Sequence, residues 1–461
     1  MITSLRSAAI AMVAVLASFG TMFALCTRLG VDASPAVLSA ALCVGLMRRP
    51  EALDARSLLS KLVALPLVAF GAGLVGSLLH AVPPLGAAIF SGGIALSILL
   101  RNYGERAREI GRTIALPLVT MLVVPVHIAG GDRVTIGLLA IAAGAIAFIA
   151  SALVTWIAVR RGIFPSVEPA RRPVPSTPPR DGRLPIATRM ALQMLTALGL
   201  AFAIGLWLFP THWPWIVLTA FIVCSGAAVR GIAMHRALMR LIGAIGGTLV
   251  AALVAHIPFA NPPTYAATVF FVLFAGMALR PINYAYWAAC ATLLFALLQG
   301  AQGADLGPLF ATRILCILIG ALCAVAATSL VYPIRTELVV RKRVAEALAA
   351  VRDIVKDGPG HPEYTQRVAA LDHHEAALQN VAPPVRLHRR LFGSRRPDEH
   401  PSTWIDRMLA LLDHVRASGF DRAHAAAEMK HLGSMLRARR DVPSDQGKLG
   451  EAAGLSGSSQ E

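Results

Sequence analysis

The sequence predicts an all-α, polytopic membrane protein, and three observations support this. Of the 461 residues, 56% are hydrophobic and only 15% are charged, whereas soluble domains carry about 25% charged residues. The mean hydropathy is +0.62. Apolar runs of the length that a helix needs to cross a bilayer recur along the chain, and basic residues gather in alternate connections between them.

Twelve apolar runs are predicted to span the membrane, six in each half of the chain. Those of the first half are 7–27, 34–47, 60–80, 84–100, 113–129 and 134–158. Those of the second half are 189–209, 213–229, 238–257, 264–279, 283–299 and 309–332. The run at 34–47 is short for a span of about 20 residues.

The distribution of basic residues predicts the orientation. With the N-terminus inside, the cytoplasmic segments up to residue 280 carry 20 Lys and Arg residues, and the opposite loops carry two. Such a bias places both termini in the cytoplasm. The net charge of +17 is therefore attributed to orientation and lipid headgroups, and nucleic acid is excluded as a partner.

The two halves resemble each other. At an offset of 179, Pro35 matches Pro214, Lys61 matches Arg240, and Arg101 matches Arg280. Thr120 matches Thr292 at an offset of 172, and Gly144 matches Gly320 at 176. We expect two parallel six-helix repeats, with a transport pathway at their interface.

Composition divides the chain further. The first repeat occupies 1–159, a linker rich in proline and arginine 160–187, and the second repeat 188–333. Apolar residues then recur at helical spacing, as in Trp404, Met408, Leu411 and Val415, which predicts a small helical cytoplasmic domain at 334–440. The polar residues 441–461 are predicted to be a disordered tail.

The predicted spans contain basic residues but no aspartate or glutamate. A proton relay through buried carboxylates is thus not available. Arg313 lies inside the last span and is a candidate substrate-binding residue, unless its side chain extends to the outer interface. Arg240 and three cations near cytoplasmic helix ends either orient the protein or attract anions to the inner mouth, these three being Lys61, Arg101 and Arg280.

Small, polar and aromatic residues supply further candidates. Gly247, in the stretch GAIGG, either packs helices closely or shapes the pathway. Thr219 and Thr292 offer hydroxyl groups to the bundle, or bond to carbonyls of their own helices. Trp213 and Trp215 are typical of an interface belt, with stacking of an aromatic substrate as the alternative.

No pattern of an enzyme, a metal site or a cofactor site is found in the sequence. All six cysteines lie in apolar segments, and no CxxC pair occurs. The adjacent histidines of DHHE (372–375) point in different directions on a helix, which favours a solvated face over a metal site.

The second half resembles the fusaric acid resistance (FUSC) family of aromatic acid exporters. The stretches that carry the resemblance are WPWIVLT (213–219), RALMRLIGAIGGTLVAAL (236–253), YAYWAACATLLFALL (284–298) and RILCILIGAL (313–322). The matched positions are Trp215, Thr219, Arg240, Gly243, Gly247, Thr292, Arg313 and Gly320. The chain departs from the family pattern at Ala244 and lacks large cytoplasmic domains. The resemblance implies efflux of hydrophobic carboxylates, with a HlyD-type membrane fusion protein as partner.

The sequence therefore favours an exporter of amphipathic organic anions that embeds in the lipid bilayer, with homo-oligomerisation left open. A passive anion channel is one alternative, because no carboxylate lies in the spans. A membrane scaffold or cell-envelope regulator acting through 334–440 is another. A major-facilitator carrier is disfavoured, because the segment 48–61 lacks the glycine of that family's loop pattern.

Overall fold

The apolar runs form α-helices, and no strand occurs among the residues that the structure describes. This computed structural model describes residues 2–47, 55–123, 133–163, 184–225, 229–255, 261–300, 306–334, 336–357, 364–393, 400–417 and 421–438. The predicted linker lies mostly outside these ranges, and so does the predicted tail.

The first half contains six helices and one short 3₁₀ turn among its described residues. They are α1 (Ile2–Leu29), α2 (Ser34–Met47), α3 (Ala55–Ala81), α4 (Pro83–Leu99), the turn (Leu100–Tyr103), α5 (Glu105–Val123) and α6 (Arg133–Arg160). The second half contributes α7 (Ile186–Leu208), α8 (Trp213–Cys224), α9 (Arg230–Ala255), α10 (Pro262–Leu279), α11 (Tyr284–Gly300) and α12 (Leu306–Leu330).

Seven of the described helices are long and apolar enough to cross a membrane, namely α1, α3, α4, α6, α7, α9 and α12. Four more are apolar but shorter: α2, α8, α10 and α11. The first turns of α5 carry Glu105, Arg106, Arg108, Glu109 and Arg112. The chain is a multi-pass membrane protein, and the sequence prediction of that class is confirmed.

Several helices differ in extent from the predicted spans. Helix α5 begins at Glu105, before the predicted span that starts at 113, and α9 begins at Arg230, before the one that starts at 238. Both helices continue through charged turns that a hydropathy criterion assigns to loops. Helix α8 ends at Cys224, before the predicted 229, because the backbone of Ser225 is extended with ψ 107°.

Polar and aromatic contacts join the helices of the membrane unit. The Ser18 and Ser39 hydroxyls are 2.6 Å apart, and Ser39 donates to the carbonyl of Ala143, which ties α1, α2 and α6 together. Phe19 of α1 meets Phe270 of α10 edge to face at 5.2 Å. Phe90 of α4 meets Phe202 of α7 in the same way at 5.6 Å.

Contacts divide the chain into two units, with the boundary inside α9 between His235 and Arg236. The second unit contains the first turns of α9 together with α13 (Thr336–Asp357), α14 (Tyr364–Gln379), α15 (Ala382–Phe392), α16 (Pro401–Arg416) and α17 (Arg422–Ala438). Its apolar core includes Val340, Val351 and Trp404. Arg416 of α16 pairs with Asp372 at 2.7 Å and with Glu375 at 2.5 Å, both on α14.

Candidate functional site

Helix α8 lies at the centre of the candidate site. Trp213 and Pro214 occupy its first turn, where a proline costs no hydrogen bond. Its twelve residues span about 18 Å, less than the hydrocarbon core of about 30 Å. Seven of them are buried: Ile216, Val217, Leu218, Thr219, Ala220, Val223 and Cys224. A short helix buried on most of its faces packs against protein rather than lipid.

Arg313 of α12 is held by aromatic rings. Its Cζ atom lies 4.2 Å from the ring centre of Trp215 and 5.0 Å from that of Phe295. The two rings meet edge to face at 4.8 Å. The side chain is only 4% exposed, and its Nε and Nη1 atoms have no hydrogen-bond partner among the described residues. The interpretation that Arg313 extends to the outer interface is therefore wrong.

Arg240 is a second buried arginine in this region. It lies on α9, is 7% exposed, and donates from Nε to the hydroxyl oxygen of Thr219 at 3.2 Å. Thr219 itself is fully buried. Arg240 is close enough to Arg313 for the two positive charges to repel each other. The site thus concentrates two like charges in an apolar bundle, an arrangement that is costly without an anion.

Carboxylates do not offset these charges in the described part of the chain. Ion pairs in this part of the chain include several within the second unit, such as Arg386 with Asp406 at 2.6 Å. In the described ranges, neither Arg240 nor Arg313 forms an ion pair with aspartate or glutamate. A ligand with negative charge would therefore be stabilised at this position.

Two glycines bring helices to close contact around the arginines. A Cβ atom on Gly320 of α12 would lie 2.9 Å from the Cβ of Thr219 and would overlap the carbonyl of Ile216. A Cβ atom on Gly247 of α9 would lie 2.9 Å from the Cβ of Thr292 and would overlap the carbonyl of Ala289. Glycine at these positions allows α12 to meet α8 and α9 to meet α11.

The other predicted site residues have varied positions. Thr292 is buried and donates to the carbonyl of Ala288 in its own helix. Arg101 and Arg280 are exposed; Arg101 lies in the 3₁₀ turn after α4, and Arg280 follows the end of α10. The Arg280 guanidinium lies 5.8 Å from the Trp287 ring centre. The side chain of Lys61 falls outside the described residues.

The predicted glycine match between the halves has different surroundings on its two sides. Gly144 faces Pro66 and Ala69 of α3, whereas Gly320 faces α8. The two matched glycines therefore do not make corresponding helix contacts.

Sequence analysis missed three residues of this region. Phe295 lies three residues after Thr292 and so on the same helical face, a signal that could have indicated it. Arg236 lies four residues before Arg240 and donates from Nη1 to the Ser225 carbonyl at the end of α8. The Tyr284 hydroxyl is buried without a hydrogen-bond partner among the described residues, and no sequence pattern indicates that.

A separate cleft of about 630 Å³ lies between α4 and α7. Its lining is mostly apolar, with Ala87, Gly199, Phe202 and the highly exposed Trp207. Ser91 is its polar member. The cleft contains none of the predicted site residues.

In the described ranges, no three His, Cys, Asp or Glu side chains lie close enough together to hold a metal ion. The rings of His373 and His374 are 5.9 Å apart at 76°.

Comparison with known proteins places this site in a family context. Residues 198–327 match the family model described as fusaric acid resistance protein-like. The matched segment contains α8 to α11 and most of α7 and α12, and with them Trp215, Thr219, Arg240 and Arg313. The predicted resemblance is confirmed, and the match indicates a membrane protein of transport or resistance function. No curated protein and no solved structure matches the chain significantly.

Proposed function

We propose that the protein exports amphipathic organic anions, and that the carboxylate of the substrate binds between Arg313 and Arg240. The observation that carries this proposal is a pair of buried arginines without a carboxylate partner among the described residues. The family that the matched segment resembles is named after an aromatic carboxylic acid, fusaric acid, which is consistent with this substrate class.

The chemistry of the site suits such a substrate. Arginine presents a planar fork of donors that matches a carboxylate, and such charge-assisted hydrogen bonds are strong. In the apolar surroundings of α8, a bound anion would relieve the repulsion between Arg240 and Arg313. Trp215 and Phe295 already form an aromatic wall beside Arg313, and this wall would face the apolar body of the substrate.

The short helices support the position of the pathway. Helices α2 and α8 have 14 and 12 residues, and they occupy corresponding places in the two halves. Unusually short segments at matching positions of a duplicated transporter point to the substrate site. The starts of α2, α4 and α5 at 34, 83 and 105 precede those of α8, α10 and α11 at 213, 262 and 284 by 179 residues each.

The aromatic pairs between the halves follow the same duplication. Helix α1 meets α10 through Phe19 and Phe270, and α4 meets α7 through Phe90 and Phe202. In the proposed repeat α1 corresponds to α7 and α4 to α10, so the α1–α10 pair corresponds to the α7–α4 pair. The proposal therefore includes two parallel six-helix repeats, twelve spans, and both termini on the cytoplasmic side of a bacterial inner membrane.

Efflux from proteoliposomes tests the proposed function. The purified protein is placed in liposomes loaded with labelled benzoate at pH 8, and empty liposomes measure the leak. We expect the wild type to release benzoate faster than empty liposomes do, and Arg313→Gln to release it no faster than they do. Arg313→Lys keeps the charge but not the fork, so it should retain only part of the activity.

The matched control is Arg28→Gln, which removes an exposed cation at the end of α1. It should release benzoate like the wild type. Equal release by wild type and Arg313→Gln would remove Arg313 from the site, and no release above empty liposomes would contradict export of this class.

A passive anion channel remains the second candidate, because the predicted spans contain no carboxylate for proton coupling. A planar bilayer recording distinguishes the two. Ohmic benzoate current that does not depend on the pH gradient would identify a channel, whereas release driven by that gradient would identify an exporter.

A further inference from the structure

Three arginines contact α8 at three successive levels. At its C-terminal end, Arg236 donates to the carbonyl of Ser225. In its middle, Arg240 donates to the hydroxyl oxygen of Thr219. Near its N-terminal end, Arg313 lies over the ring of Trp215. The contacts come from two different helices, α9 and α12, and they occur at three successive heights of the short buried helix and its C-terminal end.

Neighbouring levels are about one to two helical turns apart. Thr219 lies six residues before Ser225, and Trp215 lies four residues before Thr219, which correspond to about 9 Å and about 6 Å along an α-helix. An anion bound to one guanidinium could reach the next guanidinium directly, because each arginine side chain is long and has a flexible stem.

The hydrogen bonding of the three arginines becomes weaker from Arg236 to Arg240 to Arg313. Arg236 is bound to a backbone carbonyl, Arg240 to a hydroxyl, and Arg313 to aromatic rings alone among the described residues. An incoming anion has to displace the existing partner of each guanidinium. Displacement is easiest at Arg313, so the affinity for an anion should increase from Arg236 towards Arg313.

The Arg236 end has additional groups for capturing an anion. Arg236 is half-buried and lies within electrostatic range of Arg280 and Tyr284. The Tyr284 hydroxyl is buried and has no hydrogen-bond partner in the described ranges. These residues belong to the ends of α9, α10 and α11 that lie on the same side of the bundle as the end of α8. Two cations and a hydroxyl donor would suit a carboxylate.

We propose that Arg236, with Arg280 and Tyr284, forms a separate capture site for organic carboxylates, from which the anion passes to Arg240 and then to Arg313. This inference rests on the proposed function and adds to it a second binding site and a direction of affinity along α8. Arg236 distinguishes the capture-site proposal from the export proposal, because the export proposal alone assigns no role to this side chain.

The test measures benzoate transport from each side separately. Proteoliposomes with protein of one orientation are selected, and initial rates are recorded against benzoate concentration on the Arg236 side and on the Arg313 side. Arg236→Gln should raise KM about tenfold on the Arg236 side, the effect of one lost charge-assisted hydrogen bond. KM on the other side should be unchanged, and Arg236→Lys should restore most of the loss.

The control is Arg160→Gln, which removes an exposed cation that stacks on Trp156 at the end of α6. A purely structural role of Arg236 would change KM or the maximal rate equally from both sides, and that result would overturn the capture site. The capture site would also be overturned if Arg236→Gln transported benzoate like Arg160→Gln. The export proposal would still stand in that case, provided that Arg313→Gln is inactive. No benzoate transport by the wild type would overturn both.

Discussion

At the scale of single residues, the environment of Arg313 explains how a buried cation is tolerated. Taking a guanidinium out of water is costly, and the usual remedy is a carboxylate or a set of carbonyl oxygens. Here the rings of Trp215 and Phe295 present their π-electrons to the charge at 4.2 and 5.0 Å. Cation–π contact compensates part of the desolvation and still leaves the hydrogen-bonding edge of the guanidinium to a ligand.

Replacing Trp215 should therefore destabilise the protein. Trp215→Leu removes the nearer ring and should lower the free energy of unfolding by about 1–2 kcal/mol, the range for a desolvated cation–π contact. Trp215→Phe keeps an aromatic face and should lose less. The measurement is thermal unfolding in detergent, with Trp207→Leu as control because Trp207 is 82% exposed. If Trp215→Leu were as stable as this control, the rings would not stabilise Arg313.

The sequence allowed part of this site to be predicted. Arg313, Thr219 and Arg240 were candidates because charged and hydroxyl residues are notable in apolar runs. Trp215 was a candidate because an aromatic ring can stack on an aromatic substrate. The pairing of Arg313 with Phe295 was not predictable, because it depends on which faces of α11 and α12 meet. The contact of Arg236 with the Ser225 carbonyl was not predicted either, since a cation near a helix end usually serves orientation.

At the scale of helices, the close contact between α9 and α11 depends on the absence of a side chain. Gly247 packs against the backbone of α11 at Ala289. At the neighbouring Gly246, no atom of another residue lies within 4 Å of the position that a Cβ atom would take. Two adjacent glycines in one helix thus differ in their surroundings. They separate the effect of helix packing from that of helix propensity.

Alanine at these two positions should have opposite effects. Gly247→Ala forces α9 away from α11 and should destabilise the protein by about 1–3 kcal/mol, as overpacking does. Gly246→Ala should be neutral or stabilising by up to about 1 kcal/mol, because alanine favours the helix. Thermal unfolding in detergent and benzoate efflux measure both variants. Equal losses in the two variants would contradict the close α9–α11 contact.

Helix boundaries show where hydropathy fails as a predictor. The apolar parts of α2, α6 and α10 were located within two residues, because their ends coincide with prolines or charges. The charged first turns of α5 and α9 were assigned to loops, although the helices continue through them. Apolar periodicity detects the segment that contacts lipid or protein core. A helix can continue beyond that segment, as the first turns of α9 do within the second unit.

At the scale of the whole chain, the two units differ in the polarity of their surfaces. The membrane unit exposes large apolar side chains such as Leu253 and Phe271, as a lipid-facing surface requires. The second unit instead buries an apolar core of its own and carries ion pairs on its surface. An independent core of this kind predicts that residues 334–440 fold without the membrane unit.

The pH dependence of this fragment tests that independence. Burial lowers the pKa of His374, reinforced by the positive charges of His373 and Arg343 and opposed by Glu346. The folded state therefore favours neutral His374, and the unfolded state binds more protons once the pH falls below about 6.5. The contribution of His374 to stability should be present above that pH and be lost as the pH falls towards the lower pKa of the folded state.

Trp404 makes this measurable, because it is the single tryptophan of residues 334–440 and is 1% exposed. Urea unfolding of the fragment, followed by tryptophan fluorescence, should give one cooperative transition. Its midpoint should be lower at pH 5.5 than at pH 7.5, and His374→Gln should reduce this difference because the group that gains the proton is gone. A solvent-exposed Trp404 at pH 7.5 would show that the core needs the rest of the chain. Parallel pH profiles of wild type and variant would show that His374 does not couple folding to protons.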